Sequence, residues 1–327
     1  MIKVKKRFQL ILTGGIAVCF GIAFALPVFA YQIQKLTNVP VENDFTLGPG
    51  KAEVFLDPGQ SEIRNLTITS RLGRPMNFKI EIEDFVGSPT GERAAILLGG
   101  EKGPYSLRDY LQPEISEFTL DHGERIILPV RVSIPENAEP GGLYGSVLVS
   151  TSPPEDFLEE EEDVRGQVRL VARIGSLFFV RVQGDANIGG YLERFDTSDG
   201  KRFYSRGPVD FSITNKNTGS VHLVPYGTIE ITNLLGKKIG QIEIDPYFVM
   251  PDSLRSRQAT WETDLALGFY TATLHINRGY DDIIDTAKVS FWIIPWQMVL
   301  TVVIVLIILI VLLVWIFKRF EIRKKQK

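Results

Sequence analysis

Three observations in the 327-residue sequence predict an all-β fold class carried on a single membrane-spanning helix. Apolar and polar residues alternate with period two through most segments between residues 31 and 297. Short clusters of Gly, Pro, Asn and Asp separate those segments, and one uninterrupted apolar run follows them. Alternation of this kind puts successive side chains on opposite faces of a strand, one on a core and one in water. The predicted order is an export leader at 1–30, sandwich domains at 31–184 and 185–295, a membrane helix at 296–317 and a basic tail at 318–327.

The leader begins with Lys3, Lys5, Lys6 and Arg7 and continues with an apolar stretch from Leu10. Val28-Phe29-Ala30 then offers suitable −3 and −1 residues, which predicts cleavage after Ala30. The alternative is an uncleaved first anchor, against which Gly14, Gly15 and Gly21 count as weak points in a stable span. Both place the following residues outside the cytoplasm. Cys19 is the only cysteine and lies inside the leader. The remaining chain therefore has no disulfide, zinc-thiolate site or cysteine nucleophile, and must be held by its apolar core alone.

In the first predicted domain, Met76, Phe78, Ile80 and Ile82 alternate with Asn77, Lys79, Glu81 and Glu83. The segment Ile126 to Ile134 does the same. Turn signals stand at Asp57-Pro58-Gly59, Leu72-Gly73-Arg74-Pro75, Asp121-His122-Gly123 and Glu139-Pro140-Gly141-Gly142. Tyr105–Tyr110 reads as a short helical turn. LYGSVLVS (143–150) is another strand, and QVRLVARIGSLFFVRV (167–182) is one long strand or two short ones. The second predicted domain repeats the style. Val209, Phe211 and Ile213 alternate with polar residues, and GTIEITNLLGKKIGQIEI (227–244) reads as a hairpin around Asn233–Gly236. Pro251 and a predicted loop, Asp252–Gln258, lead to Trp261, and strands at 268–276 and 287–294 follow. Roughly seven short strands predict an immunoglobulin-like sandwich.

Pro295 breaks the last strand, and Met298–Phe317 then runs for twenty residues without a charge, glycine or proline. At about 1.5 Å per residue this spans roughly 30 Å, the thickness of a bilayer's hydrocarbon core. Trp296 and Trp315 sit near its ends, where indoles favour the interface. The cations Lys318, Arg319, Arg323, Lys324, Lys325 and Lys327 place the C-terminus in the cytoplasm. The join is too short for a flexible tether, so the second domain is expected to stand directly on the bilayer. Setting aside leader and tail, 26 cations face 38 carboxylates, a net charge near −12. That balance argues against nucleic acid as a partner.

No catalytic, cofactor-binding or metal-ligating residues emerge. His122, His222 and His275 accompany no metal-spaced ligand set. Serines lie in no nucleophile elbow, and pairs such as Glu83-Asp84 and Asp281-Asp282 are expected in an acidic chain. The expectation is a non-enzyme without cofactors. The acidic run PPEDFLEEEED (153–163) reads as a solvated loop, with a cation-sensitive contact loop as the alternative. Trp261 reads as core, and Phe291 and Trp292 as packing at the domain base or in the lipid interface. Asn65-Leu66-Thr67 matches a glycosylation sequon inside a predicted strand. Candidate binding surfaces are strand edges, the glycine-rich insertion Ser88–Gly103 and the 153–163 loop.

Several segments together resemble a bacterial surface family. They are LDPGQSEIRNLTITS, FTLDHGERIILPVRVSIPENAEPGGLYGSVLV and RIGSLFFVRV, then GTIEITNLLGKKIGQIEI and GFYTATLHI. The pattern is similar to the WxL-interacting proteins, in the order leader, two immunoglobulin-like domains, membrane helix and basic tail. The resemblance implies peptidoglycan as a partner for the first domain and host or partner proteins for the second, so that the chain would link the membrane to wall polymers or surface proteins. By that resemblance the chain would be a membrane-anchored scaffold, with Met298–Phe317 holding the lipid bilayer. An assembly chaperone that lends a strand to secreted subunits is the competing expectation.

Overall fold

The computed structural model describes residues 31–152, 172–263 and 267–319. The leader, the acidic 153–163 run, residues 167–171 of the predicted long strand and most of the tail lie outside the described residues.

The N-terminal half contains β1 (Gln32–Lys35), β2 (Phe45–Gly48), β3 (Lys51–Leu56), β4 (Ser61–Ser70), β5 (Met76–Val86) and β6 (Ile96–Leu97). A 3₁₀ turn at Arg108–Tyr110 falls within the predicted helical turn. It is followed by β7 (Leu111–Pro113), β8 (Glu117–Leu120), β9 (Glu124–Ser133), β10 (Gly141–Ser152) and β11 (Arg173–Val182). One sheet has the order β1-β9-β4-β2 with β7 also on β9; the other has the order β3-β11-β10-β5-β6 with β8 also on β5. The alternation read in the sequence sets which faces meet. Leu66 and Ile68, Ile126 and Leu128, Phe78 and Ile80, and Val147 and Val149 all turn into one apolar cluster between the sheets.

The C-terminal half contains β12 (Gly190–Thr197), β13 (Phe203–Tyr204), β14 (Val209–Asn217), β15 (Tyr226–Asn233), β16 (Lys238–Ile244), β17 (Leu254–Trp261), β18 (Gly268–Asn277) and β19 (Ile284–Ile293). They form a β12-β14-β17 sheet and a β13-β19-β18-β15-β16 sheet, which enclose a second apolar cluster. Trp261 lies in it, edge-on to Tyr270 at 5.4 Å.

The segment Asp252–Gln258 corrects an expectation. It is not a loop; most of it forms β17, paired with β14 from Val209↔Trp261 to Lys216↔Leu254. LRSRQ lacks alternation because this end of the strand does not reach the main core, and only Ala259 and Trp261 point into it. A second feature invisible to periodicity is a strand that changes sheets. After β2 pairs antiparallel with β4, the chain crosses at Pro49-Gly50, and β3 pairs parallel with β11. The same device recurs where β12 gives way to β13, which runs parallel to β19.

Asp281-Asp282, noted above only as a carboxylate pair, forms a turn. Both residues have φ near +50° (51° and 52°), and Ile283 N–H donates to the Tyr280 carbonyl at 3.2 Å. Positive φ at both central positions is the hairpin geometry that matches strand twist.

The last element, α1 (Trp296–Arg319), follows β19 after Ile294 and Pro295. An 18-residue stretch of it has a mean hydropathy of 3.6 and is nowhere buried by protein, so the helix is long and apolar enough to cross a membrane.

Phe291 stands at the centre of the second core, with ring contacts to Tyr204, Phe211, Trp261 and Tyr270. Phe291→Ala is expected to cost about 3–5 kcal/mol of unfolding free energy, read by denaturant titration.

Candidate functional site

The three histidines lie apart. His122 Nε2 meets the Val39 carbonyl at 2.9 Å, and Gly73 N–H donates to its Nδ1 at 3.3 Å, so it pins a turn. His275 Nδ1 lies 3.2 Å from Thr286 Oγ1 on an exposed sheet face. His222 belongs to the junction between the halves. Among the described residues no three His, Cys, Asp or Glu side chains converge as metal ligands. Glu83 and Asp84 point to opposite faces of β5. Glu83 pairs with Arg173. Asp84 is buried and accepts N–H bonds from Gly103, Leu107 and Arg108 at 3.0–3.1 Å, fixing the end of the insertion. Asn65 lies within β4, paired with Pro129 of β9.

The most developed site is the junction, and it grows from a change of character along β5. The outward positions Asn77, Lys79, Glu81 and Glu83 are polar or charged; the next, Phe85, is aromatic and buried. Tyr144 on β10 and Phe179 on β11 are Cα partners. The three rings, one from each of three strands, converge into a triangle, with centroids 5.9 Å (Phe85–Tyr144), 5.6 Å (Tyr144–Phe179) and 5.4 Å (Phe85–Phe179) apart. The C-terminal half covers this aromatic cluster. His222 and Phe248 each approach Phe179 at 5.0 Å, and Met250 joins the same apolar cluster. Edge-to-face pairs of this kind contribute about 0.5–1.5 kcal/mol each beyond the area they bury.

Polar bonds fix the register. His222 N–H donates to the Tyr144 hydroxyl at 2.7 Å, and that hydroxyl lies 3.3 Å from His222 Nδ1. Gly142 N–H donates to the Ser220 carbonyl at 2.9 Å. The Tyr105 hydroxyl donates to the Asp252 carboxylate at 2.7 Å. Burial, with that carboxylate second, pushes the Tyr105 phenol up to about 12. Burial also raises the Tyr144 phenol, which therefore stays protonated and able to donate. Beside these bonds lies a cavity of about 210 Å³ lined by Phe85, Gly87, Tyr105, Tyr144, Met250 and Asp252.

The insertion named as a binding surface is partly consumed here. Leu254 N–H donates to the Ser88 carbonyl and Ser256 N–H to the Gly91 carbonyl, at 3.2 and 2.9 Å. The start of the insertion thus covers the open edge of β17 and straps one half to the other. The 153–163 loop lies outside the described residues. Sequence reasoning overlooked Phe85, Tyr144 and Phe179, although an aromatic residue on the solvent face of an otherwise polar strand was a usable signal.

His222 shows which electrostatic effect wins. Its Nε2 lies 3.8 Å from Glu53 Oε1, close enough for an ion pair if the ring were charged. Burial outweighs that attraction, with Lys51 and Arg181 adding repulsion, and the ring is pushed down to about 4. It is neutral at pH 7, and the contact is not a salt bridge.

No family model matches the sequence, and no curated protein matches it. Solved structures are similar at a distance. The class 5 fimbriae chaperone CfaA shares 11% identity over 76% of this chain and 99% of its own, with a TM-score of 0.39. The E. coli chaperone DraB shares 15% over 76% and 96%, with 0.35. A PapD-like domain of human CEP192 shares 9% over 45% and 89%, with 0.30.

Two tests address the junction. A Cβ at Gly87 would overlap Ser253 Oγ and stand 2.7 Å from Met250 Cβ. Gly87→Val is therefore expected to destabilise the contact by about 1–3 kcal/mol and to raise the maximum dimension seen by small-angle scattering, with both cores still folded. His222 makes the contact acid-sensitive. Its folded value lies below the unfolded 6.5, so its contribution is complete above pH 6.5 and is lost as pH falls towards 4. Across that window unfolding titrations should lose up to about 3 kcal/mol, and His222→Asn should remove this dependence.

Proposed function

We propose that this protein is a membrane-anchored, non-catalytic, extracytoplasmic binding or scaffold protein. In this reading two immunoglobulin-like domains stand on one membrane helix. They link the cell membrane to a cell-wall polymer such as peptidoglycan or to a surface protein, as the resemblance to WxL-interacting proteins implies.

One observation carries the proposal: a core strand passes into a lipid-compatible helix through only two residues. Ile293 of β19 is buried, while α1 presents apolar side chains on every side with no protein around them. In water such a helix would expose far more contiguous apolar surface than soluble proteins tolerate. The junction supports the same reading. An aromatic contact strapped by backbone hydrogen bonds suits a holder of fixed shape, and its Tyr105 and Tyr144 hydroxyls are occupied in structural bonds.

A second reading is an assembly chaperone that works by strand pairing. It is favoured by edge strands that pair on one side only among the described residues, such as β3 and β12. Edges of this kind accept an added strand.

Protease added to intact cells is expected to remove residues 31–297 and leave a small fragment carrying the helix and tail; protection of that region would reverse the assigned orientation. The purified protein should also be retained on cell-wall sacculi or by a surface protein. Failure to bind either, together with co-purification of a subunit that becomes insoluble without this chain, would favour the chaperone reading.

A further inference from the structure

The end of the C-terminal half from which α1 leaves carries an unusual surface. Outside α1, the four most exposed large apolar side chains among the described residues are Leu235 (89%), Leu234 (72%), Phe203 (67%) and Leu267 (61%). All four lie at this one end. Strand register shows why. Asn233 is the Cα partner of Tyr270, Tyr270 that of Phe291, and Gly268 that of Ile293. The hairpin tip that follows Asn233 is therefore level with the final residues of β19. Phe203 is paired with Trp292, and Trp292 and Ile294 donate N–H bonds to the Arg202 and Tyr204 carbonyls at 2.7 and 2.8 Å. Phe203 is thus fixed beside the last strand up to the point where the chain leaves the sheet.

The tip is held by polar bonds and not by packing. Asn233 Oδ1 accepts N–H bonds from Leu235 and Lys237, both at 3.0 Å, and Gly236 N–H donates to the Asn233 carbonyl at 2.9 Å. Gly236 has φ +74°, a left-handed turn that glycine adopts without strain. The turn presents two leucines to solvent and follows them at once with Lys237; the next cation, Lys238, is paired with Glu230 at 2.7 Å. Arg206 lies in the loop after β13 at the same end. Cations therefore border the apolar tip of an outer segment whose net charge is near −12. Apolar tips edged by cations suit a bilayer interface, where the chains bury and the ammonium groups reach headgroup phosphates.

We propose that this end is a second lipid contact: Leu234 and Leu235, with Phe203 and Leu267, dip into the outer leaflet beside α1 while Lys237 and Arg206 meet anionic headgroups. The inference rests on the membrane-anchor reading of α1, which supplies the continuity between this surface and the bilayer.

The test uses the full chain, in a Cys19→Ser background, reconstituted in nanodiscs of mixed zwitterionic and anionic phospholipid. A polarity-sensitive fluorophore is placed at Leu235→Cys, at Leu306→Cys within α1, or at Arg74→Cys in an exposed turn of the N-terminal half. The label at 235 is expected to emit at shorter wavelength than that at 74, with several-fold stronger quenching by lipids bearing a shallow nitroxide. Leu234→Glu combined with Leu235→Glu should abolish quenching of a label at Leu267→Cys and leave that at 306 unchanged. If 306 is quenched by deep nitroxide lipid while 235 behaves like 74, the anchor stands and the second contact is overturned. A blue-shifted but unquenched label at 235 overturns it also, by showing a protein cover in place of lipid. An unquenched label at 306 removes the anchor and this inference together.

Discussion

The Tyr144 hydroxyl lies out of water between the two halves of the chain, and their relative placement depends on how it is satisfied. It accepts the His222 N–H and faces the ring nitrogen of the same residue, so one histidine supplies both partners. An unmatched phenol there would cost about 1–3 kcal/mol, comparable to what any neighbouring ring contact adds. The aromatic cluster gives the junction its cohesion, and this bond pair gives it one register.

Around that contact the chain spends its unusual residues. Gly87 lets the end of β5 approach Met250 and Ser253 closely. Asp84 gathers three backbone N–H groups so that the insertion returns in a fixed path, and Ser88 and Gly91 close the edge of β17. These features lie within eight residues of one another in sequence, which makes the stretch from Asp84 to Gly91 the part of the chain most dedicated to joining its halves. Covering an edge strand also removes a template for unwanted pairing.

Much of the fold was legible because its signal is local. Strands such as β5, β9, β14 and β18 alternate cleanly, since each has one face on a core. The apolar helix and the turn around Asn233–Gly236 were readable for the same reason. What escaped was information held by partners distant in sequence. Leu254 to Gln258 became a strand through pairing with β14 and cover from the insertion, neither of which leaves a mark on its own residues. The sheet changes at Pro49-Gly50 and after β12 are decided by which neighbour offers a free edge. The junction was half legible: Phe85 breaks the polar pattern of β5's outer face, but nothing nearby names Met250 as its cover.

The continuity of β19 with α1 has a mechanical consequence. Ten residues of β19 are paired with β18, from Gly268↔Ile293 to Asn277↔Ile284, and the strand leads directly towards the helix. Under the proposed function, a tug between a tethered ligand and the lipid sheet would therefore pull along the strand axis. The rungs of that ladder would bear the load together, in shear, and not peel one after another. Resistance to such a force is set by an unfolding rate and not by an equilibrium, so a chain with no disulfide can still hold firm under tension.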